Sequence, residues 1–342
     1  MGLSILVISA FVVLAISIQL FAKQKNFAFS FWVMAAVSAA MFYPDFFTHI
    51  GDFNTSGLIV PLLMLIMFGM GTAMSIQDFV RVIKMPKGVL IGVLCQFTIM
   101  PLVGFTIVKL FEFPPEIAAG IILVGCSPSG LASNVMSYIA NANLALSLTL
   151  TAVATLLAPI LTPLLMKILA DQYVPIAFVP MMQSILKIVI VPVIAGLLFN
   201  HFFKGKFPWM DKAMPIVSMI GIAVVITVIT AAGRDSLITI GIALVLAALI
   251  HNILGYGLGY WLCRLAKMDE ASCRTIALEV GMQNSGLASG IALEMGKVAT
   301  MGLAPAIFGP LMNITGSSLA TWWRNTSLFL EQRVERHISF RK

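Results

Sequence analysis

Residues 125–134 read GCSPSGLASN, and residues 279–290 read EVGMQNSGLASG. The pentapeptide Ser-Gly-Leu-Ala-Ser recurs at Ser129–Ser133 and Ser285–Ser289, an offset of 156 residues. Both copies sit inside long apolar segments, and neither suits a continuous helix. Pro128 lacks a backbone donor, and Gly125, Gly130, Gly281, Gly286 and Gly290 free the chain from helical geometry. At membrane depth a broken backbone is tolerated only where it is buried in protein or lines a cavity. Each break also exposes half-helix N-termini, which favour anions, and carbonyl ends, which favour cations.

The membrane setting follows from composition. The chain has 342 residues, of which 60% are hydrophobic and 10% charged, and its mean hydropathy is +1.01. Soluble domains carry about a quarter of their residues as charges. A soluble enzyme, a disulfide scaffold and a disordered linker are thereby excluded. Apolar segments lie at 1–22, 28–46, 57–76, 87–110, 116–140, 144–170, 174–203, 214–232, 238–266, 271–296 and 300–328. The first is a leading segment, without a basic n-region or a small-x-small site before Lys23, and is read as a retained span rather than a signal peptide. The others are spans 1 to 10. Cys95, Cys126, Cys263 and Cys273 fall in or beside apolar segments without metal-ligand spacing and read as small hydrophobes.

Charge sets the orientation. Sixteen Lys and Arg residues fall on one side, in the loops at 23–25, 81–87, 204–212 and 264–274 and in the C-terminal tail. Only Lys109, Lys167, Arg234 and Lys297 fall on the other, with Lys187 inside span 6. The asymmetry accounts for the net charge of +7 without nucleic acid and puts the C-terminus in the cytoplasm of a multi-pass protein of the cell (inner) membrane. The two pentapeptides lie in spans 4 and 9, so the second enters the membrane from the opposite side. That is the plan of an inverted-topology repeat. Gln96 precedes Leu131 by 35 residues, and Asn252 precedes Leu287 by 35, which extends the correspondence. The alternative is a Gly/Ser-rich helix-packing face.

Glu279 is the one carboxylate well inside a span. A charge at mid-membrane costs about 3 kcal/mol or more, so it needs a partner. A bound cation supplies one; a protonated Glu279 bonded to Gln283, or a Glu279–Lys187 pair, are the alternatives. Ser133, Asn134, Ser147, Thr151, Gln96, Gln283 and Asn284 add oxygen donors at the same depth, and hard cations such as Na⁺ take oxygen ligands. Ser147 and Thr151, at i and i+4, share a helix face.

The strings PSGLASNVMSYIANANLALSLTLTAVATLLAP (128–159), EVGMQNSG (279–286), MFGMG (67–71) and GVLCQFTIMP (92–101) resemble the bile acid:sodium symporter family, in its bacterial branch. The resemblance covers about residues 28–328. It implies an all-α polytopic membrane protein: ten helices in two inverted five-helix repeats (28–170 and 174–328), with broken helices 4 and 9 crossing. The leading segment (1–27) adds a span, and 329–342 form a basic tail. Helices 1, 2, 6 and 7 are expected to form a panel, and 3–5 and 8–10 a core. One sodium site is implied at Ser133, Asn134, Ser147, Thr151 and Glu279. A second is implied at Gln96, Glu279, Gln283 and the carbonyls of Val280 and Met282. Substrate is expected at the crossing, near Asn284, Asn313, Leu131 and Ser129. Leu131 stands where other members carry a hydroxyl, and Met312 before Asn313 is less polar than its counterparts.

The expectation is a secondary transporter, not an enzyme, that couples Na⁺ to uptake of a small organic anion by alternating access. A carboxylate such as pantoate or ketopantoate is favoured over bile acids. Two Na⁺ serve as coupling ions, and no other cofactor is expected. The rival is a cation/proton antiporter on a similar scaffold, disfavoured by the single intramembrane acid. An intramembrane enzyme is disfavoured because His49, His201, His251 and His337 are scattered and no nucleophile stands beside a buried base.

Overall fold

The computed structural model describes residues 2–21, 27–203 and 206–339. Lys23, Lys25 and Lys204, used above for orientation, and the last three residues of the tail lie outside them. The helices are α1 (Gly2–Phe21), α2 (Phe27–Phe42), α3 (Asp45–Thr48), α4 (Ile59–Ala73), α5 (Ile76–Lys84), α6 (Pro86–Phe111), α7 (Pro115–Cys126) and α8 (Leu131–Ile139). They continue with α9 (Leu144–Leu169), α10 (Phe178–Ile185), α11 (Val191–Phe203), α12 (Pro208–Ala232), α13 (Arg234–Leu265), α14 (Glu270–Gly281), α15 (Ser285–Glu294) and α16 (Leu303–Ser339). Seven described helices are long and apolar enough to cross a membrane by length and composition. Together with α2, the pairs α7–α8 and α14–α15, and α16, they account for every apolar segment read from the sequence. The protein is an all-α polytopic membrane protein.

Both expected breaks are present. α7 stops at Cys126 and α8 resumes at Leu131; α14 stops at Gly281 and α15 resumes at Ser285. The freed backbone groups of one break bond those of the other. The Asn284 N–H donates to the Pro128 carbonyl (2.8 Å), the Gly130 N–H donates to the Met282 carbonyl (3.3 Å), and Ser129 and Gln283 form an antiparallel bridge. Two unwound strands therefore cross, each satisfying donors and acceptors that lipid could not.

The two pairs are clasped at opposite ends. Where α7 begins, Glu116 accepts from Lys297 and Thr300 in the turn after α15. Where α14 begins, the Asn143 N–H donates to the Ala271 carbonyl (3.3 Å), and Arg274 Nη1 donates to the Ala140 carbonyl (3.2 Å) in the turn after α8. Each of those turns passes through a left-handed residue, Asn141 (φ 51°) and Gly296 (φ 70°).

Outside this crossed unit, α4 packs against α11 and α12, and α2 against α12 and α1. The α4–α11 contact is backbone on backbone. A Cβ on Gly71 would lie 2.1 Å from the Val193 carbonyl oxygen, and one on Gly196 would lie 2.2 Å from that of Phe68.

Three features depart from the hydropathy reading. A nine-residue helix, α5, occupies what read as a charged loop. Between α10 and α11 the helix widens to a π turn over Leu186–Ile190, just before Pro192, whose missing N–H disrupts the regular ladder. α16 runs on to Ser339, because the stretch after 328 contains no Gly or Pro to stop it.

Candidate functional site

The crossing gathers hydroxyls from the first break and from α8 and α9 around one carboxylate. Glu279, in the last turn of α14, is 2% exposed. Its Oε2 accepts from Ser129 Oγ (2.5 Å) in the first break and from Thr151 Oγ1 (3.0 Å) on α9. Its Oε1 accepts from Ser133 Oγ (2.7 Å) on α8 and Ser147 Oγ (2.5 Å) on α9, with Thr151 Oγ1 at 3.3 Å. Asn134 Oδ1 lies 2.8 Å from Ser147 Oγ and 3.1 Å from Thr151 Oγ1, and Ser133 Oγ lies 2.7 Å from the Gly130 carbonyl.

Ser129, Ser133, Ser147 and Thr151 supply four hydroxyl protons, yet they make eight oxygen–oxygen approaches of 2.5–3.3 Å. A hydroxyl has one proton and two lone pairs. Such a cluster is rich in acceptors and poor in protons, which is the environment that holds a hard cation.

Behind it lies an amide cluster. Gln96 Nε2 on α6 donates to the Ser127 carbonyl (2.9 Å) and to Gln283 Oε1 (2.8 Å), and Gln283 Nε2 donates to the Val280 carbonyl (2.5 Å). Gln96 Oε1 is buried and accepts no hydrogen bond among the described residues. Gln96, Gln283 and Val280 therefore converge, while the Met282 carbonyl is engaged by Gly130. The Glu279 carboxylate turns away from this cluster, toward the hydroxyls.

The two alternative partners proposed for Glu279 are not seen. Gln283 bonds elsewhere, and Lys187 is exposed on the π turn, forming no ion pair with Glu279. The expected substrate groups are more dispersed. Asn284 is buried and caps α15, accepting from the Leu287 N–H (3.0 Å), with its Nδ2 4.0 Å from Met67 Sδ on α4. Asn313 is partly buried and donates back to the Gly309 carbonyl of its own helix (3.0 Å). Leu131 is partly buried, packed against the core, and Ser129 serves Glu279.

Sequence reasoning missed the residues that finish the broken ends. Thr162 Oγ1 on α9 donates to the Cys126 carbonyl (2.7 Å). Asn252 Nδ2 on α13 donates to the Gly281 carbonyl (2.7 Å), and Thr315 donates to Asn252 Oδ1. The correspondence of Asn252 with Gln96 was read from the sequence, but not its role: both amides cap the carbonyl end of a half-helix.

A model of the sodium bile acid symporter family matches residues 60–240. The chain belongs to that family. It is 40% identical over 305 residues to YocS of Bacillus subtilis (strain 168), named an uncharacterized sodium-dependent transporter, across 88% of this chain and 93% of that protein. It is 34% identical over 310 residues to BASS1 of Arabidopsis thaliana, named a probable chloroplastic sodium/metabolite cotransporter, across 91% of this chain and 76% of that one. BASS2 of Oryza sativa subsp. japonica, likewise named a probable chloroplastic sodium/metabolite cotransporter, is 33% identical over 306 residues, across 88% and 71%. Family membership agrees with what the motifs around Glu279 and Gln96 implied. This is a multi-pass membrane protein of a sodium-dependent transporter family.

Proposed function

We propose that the protein is a sodium-coupled symporter of a small organic anion, working by alternating access in the cell (inner) membrane with its C-terminus in the cytoplasm. The observation that carries this reading is the proton deficit around Glu279. One Na⁺ among Glu279, Ser133, Asn134, Ser147 and Thr151 relieves the crowding of oxygens, because the serine and threonine lone pairs become ligands. The unused acceptor of Gln96, beside Gln283 Oε1 and the Val280 carbonyl, supports a second ion there, with the Met282 carbonyl and Glu279 completing the set after small rotations.

Two Na⁺ and one carboxylate leave a local charge of +1, which a monoanionic substrate neutralises. Its proposed place is the crossing, where the N-terminus of α15 favours negative charge, with Asn284, Asn313, Ser129 and Leu131 as the groups that would contact it. Ion binding orders the crossing and so raises substrate affinity, and linkage requires the converse. The unit of α2, α4, α10, α11 and α12 acts as a panel rocking against the core of α6–α9 and α13–α16. A small carboxylate of the pantoate or ketopantoate class suits the site better than a bile acid, because Leu63 on α4 packs directly against Gly286 and Gly290 of α15 and leaves little width there.

The test is reconstitution of the full chain in liposomes with a screen of small carboxylates under Na⁺ or K⁺ gradients. Uptake that requires inward Na⁺ supports the reading. Proton release on Na⁺ addition without any organic solute would establish the antiporter instead.

A further inference from the structure

Helix α5 joins α4 to α6 on the face that the basic residues make cytoplasmic, and the transport reading does not use it. It is started by Ser75 and Asp78: the Ser75 N–H and Oγ both donate to Asp78 Oδ2 (2.7 and 3.0 Å), and Asp78 Oδ1 accepts from Arg81 (2.7 Å). Phe79 and Val82 turn inward and pack against the hydrophobic core. A second apolar stripe remains outside. Ile76, Val80 and Ile83, spaced i, i+4 and i+7 and so on one face, are 48%, 49% and 83% exposed.

Around the helix axis from that stripe come the cations. Lys84 and, at the second residue of α6, Lys87 are exposed, and neither has a carboxylate within ion-pair distance among the described residues. Lys267 joins them from the α13–α14 turn. It is exposed, and its neighbour Met268 reaches to 3.3 Å from where a Cβ on Gly88 would stand. A short helix with one face in protein, one bare apolar stripe and one basic edge has the cross-section of an interfacial helix. The cytoplasmic leaflet of cell membranes is anionic and attracts such basic clusters.

We infer that α5 is a docking surface for anionic phospholipid. The Ile76–Val80–Ile83 stripe lies at the acyl boundary, and Lys84, Lys87 and Lys267 hold headgroup phosphates. Because α5 connects α4 to α6, the headgroups bind the segment that links the two packed units. The inference does not depend on which ion or solute is carried.

The test uses the purified full chain in bilayers. The four native cysteines are buried, so an environment-sensitive fluorophore can be placed at Ile83→Cys. Lipids with a nitroxide high on the acyl chain should quench it more strongly than lipids with a deep nitroxide, and an aqueous quencher should have little effect. Spin-labelled phosphatidylglycerol should associate with the wild type in preference to spin-labelled phosphatidylcholine. Lys84→Gln with Lys87→Gln should cut that preference by about fivefold for each cation removed. A label at position 83 quenched from water alone, or an unchanged preference in the double variant, overturns the inference.

Discussion

Glu279 is tolerable at membrane depth because four hydroxyls reach it, and the same four are too few to satisfy every oxygen around it. Serine and threonine in membrane helices ordinarily bond back to their own carbonyls, as Thr155 does to the Thr151 carbonyl (2.7 Å). Ser147 and Thr151 instead point sideways to Glu279 and Asn134, a geometry that the sequence cannot reveal. What the sequence did reveal was the cluster: polar side chains stand out in apolar segments, so Ser133, Asn134, Ser147, Thr151 and Glu279 were readable by type and depth. Ser129 was placed with the substrate groups, because hydroxyl direction is set by the crossing and not by local spacing. Replacing Thr151 by valine keeps the shape and removes one ligand. Hydrogen bonds to charged groups contribute about 1.5–3 kcal/mol, so Thr151→Val should weaken Na⁺ binding by tenfold or more, on the order of those energies. Thr151→Ser should retain it. Na⁺-dependent thermal stabilisation of the purified protein measures both.

At the scale of elements, the broken spans are held by their neighbours. Gln96 and Asn252, one on α6 and one on α13, each donate to the carbonyl end of a half-helix. Asn252→Leu leaves the Gly281 carbonyl buried without a donor, a loss of about 1–3 kcal/mol, and should lower the melting midpoint in detergent. The contact of α4 with α11 has no room for side chains at Gly71 and Gly196. Gly71→Leu should separate the two helices and destabilise the protein by about 1–3 kcal/mol or more, read in the same melt. Spans of 20 apolar residues announce themselves by hydropathy, and the breaks announce themselves by proline and glycine. Helix α5 did not. Nine residues with Asp78, Arg81 and Lys84 among them resemble a charged loop until Phe79 and Val82 are seen to pack.

At the scale of the whole molecule, the two broken spans share a pentapeptide at an offset of 156 residues but differ where the chemistry sits. Stepping back 156 residues from Glu279 reaches Leu123, a fully buried apolar residue. Ser285, the counterpart of Ser129, accordingly has a buried hydroxyl with no partner among the described residues. On the proposed reading, a single carboxylate lets ions sit on one side of the crossing and an anion on the other. The proposed panel meets the proposed core at two polar points: Ser184 on α10 donates to Glu294 on α15 (3.3 Å), and Arg234 Nε on α13 donates to the Met41 carbonyl at the end of α2 (2.7 Å). Ser184→Cys with Glu294→Cys should form a disulfide under mild oxidation that stops uptake in liposomes, with full recovery on reduction. Free uptake by the cross-linked protein would mean that the panel does not move against the core there. The most direct measurement is equilibrium binding of radioactive sodium to the purified chain, wild type against Glu279→Gln. The account predicts two ions per wild-type chain and none in the variant; sodium binding in Glu279→Gln equal to that of the wild type would contradict it.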